Sequence, residues 1–146
     1  MSGISNILNY IKTGKTEQAR RMIEEALTDS PSEYFYCLAL CCCIEKGYNS
    51  SIYYFKCSIE SGLKHYLVYY NMGVAYLEIG DSIKAEECFK NSISLNNSFT
   101  KNYINLSRIY LLSGNKQKSY RTIKTALSII DDPELSEIEK KLICIL

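Results

Sequence analysis

The fold of this chain is decided by residues 65–98, which read HYLVYYNMGVAYLEIGDSIKAEECFKNSISLNNS. The first half has apolar residues three and four positions apart, the spacing of one stripe along a helix, at Tyr69, Met72, Tyr76 and Ile79. The second half carries another stripe, at Ile83, Ala85, Cys88, Phe89, Ser92, Ile93 and Leu95. The stretch therefore predicts two helices that bury one face each.

A break of three residues, Gly80 to Ser82, separates the two stripes. Glycine just past a helix end adopts the left-handed conformation at little cost, and Asp81 or Ser82 can cap the helix that follows. Gly73 and Ala85 lie within the stripes and are small. Two helices joined by so short a turn must approach closely, so we expect these two residues at their crossing.

The same pattern recurs in register along the chain. Moving forward by 34 positions gives Tyr103, Leu106, Ser107, Tyr110, Gly114, Ser119, Ile123 and Ala126. Moving back by 34 gives Phe35, Leu38, Ala39, Cys42, Ser51, Phe55 and Ser58, with the turn glycine, Gly47, one residue late. A weaker first copy keeps Tyr10, Gly14, Ala19, Ile23, Ala26 and Pro31. One helix pair cannot bury both its stripes, so successive copies are expected to stack.

These residues resemble the tetratricopeptide repeat, a helix-turn-helix unit of about 34 residues with the pattern large-x-x-Leu-Gly-x-x-Tyr…Ala-x-x-x-Phe…Pro. The large residue at the first position of the pattern is usually Trp. In the central copy only Tyr69, at that position, and Asn97, at the position of the final Pro, depart from the pattern. The resemblance implies an all-α, right-handed superhelix. We predict one domain over residues 1–146, with units at 1–31, 32–65, 66–99 and 100–132 and a capping helix at 133–146.

Helix-start signals support these divisions. Ser30 precedes Pro31 and lies three residues before Glu33, which predicts a capping box. Asp132 and Pro133 repeat the signal before a last helix whose apolar residues are Leu135, Ile138, Leu142 and Ile145. That helix would cover the end of the array. Its end, residues 142–146, is more apolar than capping requires, which allows self-association into a homo-oligomer.

Composition excludes several classes of protein. The chain is 47% hydrophobic and has seven cysteines, an odd number without a regular framework, which favours a reducing compartment. No apolar run reaches the roughly 18 residues of a membrane span, and residues 1–13 lack the pattern of a signal peptide. We therefore predict a cytoplasmic protein that does not bind membranes.

The chain carries no pattern that predicts an enzyme, a metal site or a cofactor. Cys41 to Cys43 point about 100° apart on a helix and cannot converge on one ion, so buried small hydrophobes are the better interpretation. Cys37 and Cys43 are expected to be the more accessible and oxidisable of the group. His65, in a predicted turn, has no nucleophile or ligands beside it in the sequence.

Charge is concentrated in the fourth unit. No Asp or Glu lies between Leu95 and Ile130, whereas six Lys and Arg residues do. In the family that the sequence resembles, the first helix of each unit lines a concave groove. The residues predicted to face a ligand there are Tyr36, Leu40, Tyr70, Asn71, Val74, Lys101, Asn105 and Arg108. This set predicts a protein or peptide ligand with apolar anchors and an acidic or carboxylate end.

Three alternatives remain open at this stage. Tyr36 and Tyr70 could simply pack between neighbouring first helices. A subset of the family binds chaperone tails through a five-residue carboxylate clamp, of which only Asn71 and Lys101 match here. Nucleic-acid binding by the basic unit is disfavoured, because Tyr103 and Tyr110 fall on core positions and leave no stacking platform. The preferred function is a non-enzymatic protein-interaction module, such as an adaptor, a scaffold or a co-chaperone-like protein.

Overall fold

A computed structural model describes residues 3–146 of the chain. Within that range the secondary structure is entirely helical, in the order α1 Gly3–Lys12, α2 Thr16–Ala26, α3 Pro31–Ile44, α4 Tyr48–Glu60, α5 Tyr66–Glu78, α6 Ser82–Leu95, α7 Thr100–Leu112, α8 Lys116–Leu127 and α9 Pro133–Ile143. The predicted all-α solenoid is confirmed. The first two residues of the predicted first unit lie outside the described range.

The helices pack as successive hairpins. The closest packing is between α3 and α4, α5 and α6, and α7 and α8. Phe55, Phe89 and Ile123 occupy the same position of three second helices, 34 residues apart, and all three are fully buried. The core is therefore a layer that continues from one hairpin to the next, as expected for a repeat array. None of the helices in residues 3–146 has both the length and the apolar character needed to span a bilayer.

The turns within the hairpins depend on a left-handed residue. Gly14, Gly80 and Gly114 have φ angles of 73°, 83° and 79°. In the second hairpin the equivalent position is Lys46, with φ of 60°, while Gly47 has φ of −82° and is the N-cap of α4. The predicted local difference of this hairpin is confirmed, and its physical form is a lysine in a conformation that favours glycine.

Close helix crossing explains the small residues. A Cβ atom built on Gly73 would lie 2.9 Å from Cε1 of Phe89 and 3.1 Å from Cβ of Cys88, closer than such atoms pack. Ala85 is fully buried in the same cluster. In the fourth hairpin Ser107 and Ser119 replace these two residues, and their hydroxyl oxygens share a buried hydrogen bond of 2.6 Å.

Buried serines on the second helices recur with the repeat. Ser58 donates to the carbonyl oxygen of Ser32 at 2.7 Å, and Ser92 donates to that of Tyr66 at 2.9 Å. Asn102 of α7 donates from Nδ2 to the Ser92 hydroxyl at 2.9 Å, which links α5, α6 and α7. Asn102 Oδ1 is buried and has no hydrogen-bond partner within residues 3–146.

Three residues of the predicted apolar stripes are exposed instead. Ile83 is 84% exposed and Leu95 48%. They lie two residues before Ala85 and six after Phe89, rotations of about 200° and 240° on a helix, so they face away from the core. Ile79 is the C-cap residue of α5 and is also exposed, because the packed face ends before it.

The helix caps follow the predictions in part. Asp81 accepts from the Lys84 amide at 3.0 Å, so Asp81 and not Ser82 caps α6. Ser30 is the N-cap of α3, and Pro31 lies in its first turn, as predicted. The prediction of a capping box, however, is wrong. The Ser30 side chain makes no cap hydrogen bond, and the Glu33 carboxylate accepts instead from the Ser32 hydroxyl at 2.7 Å.

The last helix covers the array, as predicted. Asp132 caps α9 by accepting from the Glu134 amide at 2.8 Å, and Leu135 and Leu142 are buried in a cluster with residues of α7 and α8. Ile145, which was expected on the same stripe, lies beyond the end of α9. It is exposed together with the other large apolar residues of the tail, Ile143 and Leu146.

Candidate functional site

The predicted ligand-facing residues lie on three consecutive first helices. Tyr36 and Leu40 are on α3, Tyr70, Asn71 and Val74 are on α5, and Lys101, Asn105 and Arg108 are on α7. Lys101 and Arg108 are exposed and the other six are half-buried. A half-buried side chain is held by the protein on one side and keeps its other side exposed.

Tyr36 joins two of these helices. Its hydroxyl accepts a hydrogen bond from Asn71 Nδ2 at 3.3 Å, and its ring centroid lies 6.0 Å from that of Phe55. Burial raises the pKa of the Tyr36 phenol to about 12, so the group stays protonated. The sequence did not predict this hydrogen bond. Because it joins α3 to α5, Tyr36 and Asn71 contribute to packing between these two helices.

Tyr70 is held by two other aromatic rings. Its ring centroid lies 5.9 Å from Phe89 and 5.0 Å from Phe99, and the Phe99 ring is nearly perpendicular to it at 87°. Phe99 directly precedes α7, so this contact also joins successive hairpins. A ring fixed in this way offers a rigid apolar surface at little further cost in conformational entropy.

The cations of the fourth hairpin differ in their contacts. Lys101 and Arg108 form no ion pair with any carboxylate of residues 3–146. By contrast, Lys118 of α8 lies 3.2 Å from Glu86 Oε1 and 4.0 Å from the Tyr110 ring centroid. Lys116, Arg121 and Lys124 also form no ion pair within residues 3–146, so Lys118 is the cation of the predicted basic patch that a carboxylate neutralises.

Glu86 is the centre of a polar cluster between the third and fourth hairpins. Burial alone would raise its pKa, but hydrogen bonds from Lys90, Tyr110 and Lys118 outweigh burial and hold the pKa at about 2. The Tyr110 hydroxyl donates at 2.7 Å, and burial and this bond raise the pKa of Tyr110 to about 12. The cluster joins α6 to Tyr110 of α7 and Lys118 of α8 and stabilises the packing of the fourth hairpin on the third.

The cysteines are packing residues for the most part. Cys37 and Cys41 are fully buried, and burial raises the pKa of their thiols to about 12 and about 11. The expectation that Cys37 is accessible is wrong, because α3 packs it against the first hairpin. Cys43 is half-buried, with its sulfur 2.8 Å from the Ser51 hydroxyl. Across residues 3–146, no three His, Cys, Asp or Glu side chains gather as a metal ion would require.

His65 has a structural role that its position in a turn did not predict. It is the N-cap of α5, and its Nδ1 accepts from the Leu67 amide at 3.3 Å. Its ring also lies 4.7 Å from that of Tyr66. The single histidine thus caps the start of α5.

The last helix stands in the same orientation as the first helices before it. Thr100, the first residue of α7, donates from its hydroxyl to Asp132 Oδ2 at 3.0 Å, and this bond ties the start of α7 to the start of α9. The buried residues Leu135 and Leu142 of α9 follow Tyr103 and Tyr110 of α7 by 32 positions. α9 is therefore built as the first helix of a further repeat, after a step of 32 residues instead of 34.

Stacked hairpins of this geometry define a tetratricopeptide repeat protein. The sequence model of the tetratricopeptide repeat family matches residues 66–99 and 100–133, so the third and fourth hairpins are tetratricopeptide repeats. No curated protein sequence is significantly similar to it.

Solved structures share the fold across most of the chain. A crystal structure of MamA is 20% identical, with 96% of this chain and 82% of that one covered and a TM-score of 0.74. TTC0263, a thermophilic tetratricopeptide repeat protein of Thermus thermophilus, is 14% identical, with 94% and 78% covered and a TM-score of 0.75. MamA of Desulfovibrio magneticus RS-1 is 12% identical, with 87% and 73% covered and a TM-score of 0.73. At such identities the likeness concerns the fold alone.

Proposed function

We propose that this protein is a non-enzymatic interaction module that binds a peptide segment of a partner protein along α3, α5 and α7. The observation that carries the proposal is the pair of exposed cations, Lys101 and Arg108, without ion-pair partners in the described chain. Val74, which precedes Arg108 by one repeat on α5, is apolar and half-buried. An apolar wall that continues into free positive charge suits a ligand with apolar side chains and an acidic or carboxylate end.

The two parts of the groove have different tasks. Tyr70 and Val74 supply contact area, while Lys101, Asn105 and Arg108, spaced by four and three residues on one helix face, orient the ligand's acidic groups. Asn71 already donates to Tyr36, so that end of the groove contacts a ligand mainly through the Tyr36 ring and Leu40.

Affinity capture from a lysate of the source cell, followed by mass spectrometry, supplies the partner for the test. Its binding is then titrated at two ionic strengths against the double variant Lys101→Glu, Arg108→Glu. We expect weaker binding and a smaller dependence on salt, because like charges then oppose the ligand. The matched control, Arg121→Glu with Lys124→Glu, changes the net charge equally on α8. If the groove variant binds as well as the parent protein does, the ligand lies elsewhere.

A second candidate function, self-association, is favoured by the exposed tail of Ile143, Ile145 and Leu146. Replacing all three with Ser leaves the capping residues of α9 in place, whereas deleting residues 133–146 uncovers Ile123 and Ala126. If α9 only caps, sedimentation should show the triple variant unchanged and the deletion aggregated. A parent dimer that becomes a monomer in the triple variant would support assembly instead.

Nucleic-acid binding gains no support from the fourth hairpin. Tyr103 and Tyr110 are each only 4% exposed, so neither ring can stack on a base. A salt-dependent mobility shift with unrelated single-stranded RNAs would contradict this conclusion.

A further inference from the structure

We infer that the groove extends onto α9, where Lys140 stands beside Arg108 as a second ligand-binding cation. We also infer that the ligand is an extended peptide with two apolar residues followed by two acidic ones, at intervals of about three residues. This inference rests on the proposed function and specifies its ligand.

The position of Lys140 along α9 follows from the hydrogen bond that joins the starts of α7 and α9. Thr100 and Asp132 are joined at 3.0 Å, and Arg108 and Lys140 each lie eight residues further on. At about 1.5 Å of rise per residue, both side chains are about 12 Å along their helices from that bond. They therefore stand level with each other.

The rotation of α9 places both cations on the same face. Tyr103 and Tyr110 are two of the buried residues of α7 and lie five residues before and two after Arg108, and the buried Leu135 and Leu142 lie at the same offsets from Lys140. Side chains at equal offsets from buried residues point in equivalent directions when two helices lie side by side. Lys140 is exposed, as Arg108 is, and pairs with no carboxylate of residues 3–146.

One row of equivalent positions now crosses four helices. It runs through Leu40, Val74, Arg108 and Lys140, in steps of 34, 34 and 32 residues. Packed helices are about 8–10 Å apart, and an extended chain advances about 3.3 Å per residue, so one step spans about three ligand residues. Because the row is apolar at two positions and cationic at the next two, it selects a peptide with the same order of apolar and acidic side chains.

The acidic neighbour in this region does not cancel the charge. Glu137 occupies the α9 position equivalent to Asn105, and its Oε1 lies 2.6 Å from Lys141 Nζ, one turn along. The hydrogen bond from Lys141 lowers the pKa of the Glu137 carboxyl, which stays ionised and paired. The charge of Lys140 also lowers this pKa, but Lys140 forms no ion pair within residues 3–146, so its ammonium group is available to a ligand carboxylate.

The test uses a fluorescent ten-residue peptide with Leu at its first and fourth positions, Glu at its seventh and tenth, and Ser or Gly elsewhere, in both chain directions. At low ionic strength we expect Lys140→Glu to weaken its binding on the order of tenfold. We expect the same loss when either peptide Glu facing Arg108 or Lys140 becomes Gln. For the peptide without its outer Glu, Lys140→Glu should have little further effect, because the two changes remove one interaction.

Arg121→Glu on α8 is the matched control and should bind the peptide like the parent protein. If Arg108→Glu weakens binding and Lys140→Glu does not, the inference about α9 is wrong while the proposed groove stands. If neither direction of the peptide binds the parent protein, the inferred ligand class is wrong. The titration of the captured partner against the Lys101→Glu, Arg108→Glu variant then still tests whether the groove binds a ligand. Lys140 is exposed, so circular dichroism should show its variants to be folded.

Discussion

The lysine in the turn between α3 and α4 gives a sharp test of the repeat geometry. Lys46 has φ of 60°, at the position where three other turns carry glycine. We predict that Lys46→Gly stabilises the protein. Gly47→Asp should add to the effect, since Asp81 and Asn115 occupy the equivalent cap positions and accept from the amides of Lys84 and Lys118.

The magnitude follows from two opposing terms. A left-handed conformation costs a residue with a side chain about 1–2 kcal/mol. Glycine gives back about 0.4–1 kcal/mol, because it adds conformational freedom to the unfolded chain. The net gain for Lys46→Gly is about 0.5–1 kcal/mol, and for a chain of this size each kcal/mol raises the melting temperature by about 2–4 °C. Capping by Gly47→Asp contributes a few tenths of a kcal/mol more.

The assay is thermal and urea denaturation followed by circular dichroism. Gly80→Lys is the reverse change, at a turn where no atom lies within 4 Å of the added Cβ, so its effect comes from the backbone alone. It should lower the free energy of unfolding by about as much as Lys46→Gly raises it. A lower melting temperature for Lys46→Gly, or no change for Gly80→Lys, would refute the reasoning.

Three further predictions concern the core, acid stability and the cysteines. Ala85→Leu should overpack the third hairpin and lower the free energy of unfolding by about 1–3 kcal/mol in urea denaturation, and an unchanged midpoint would mean that the pairing is wrong. Glu86 has a native pKa of about 2 against an ordinary 4.5, so its stabilisation is complete above the ordinary value and is lost as pH falls toward 2. Glu86→Gln should therefore flatten stability against pH over that interval, and a steepening would contradict the pKa. Iodoacetamide at pH 8 should modify exposed Cys144 first and leave buried Cys37 unmodified in the native protein, as peptide mass spectrometry would show; early labelling of Cys37 would contradict its burial.

The fold was predictable because its signals are local and periodic. Tyr69, Met72 and Tyr76 recur at 34 residues with the turn glycine, and no property of distant helices is needed to recognise them. The cap at Asp81 and the close approach at Gly73 were predictable for the same reason, since each depends on a residue type that fits few other conformations.

The remainder depends on geometry between helices. The hydrogen bond from Asn71 to Tyr36 joins side chains of two neighbouring repeats, and neither residue type predicts it. Cys37 was expected to be accessible and is buried, because the first hairpin covers it. The role of Lys140 was not predicted because Lys140 follows Arg108 by 32 residues. The repeat of 34 residues therefore does not align the two positions.

The hydrogen bonds that join Tyr66, Ser92 and Asn102 have a consequence for how the third and fourth hairpins are held together. Ser92 donates to the Tyr66 carbonyl oxygen and accepts from Asn102 Nδ2, and both side chains are buried. Separating α6 from α7 would leave these buried polar groups without partners, at a cost of about 1–3 kcal/mol for each group. The bridge therefore resists movement between the two hairpins.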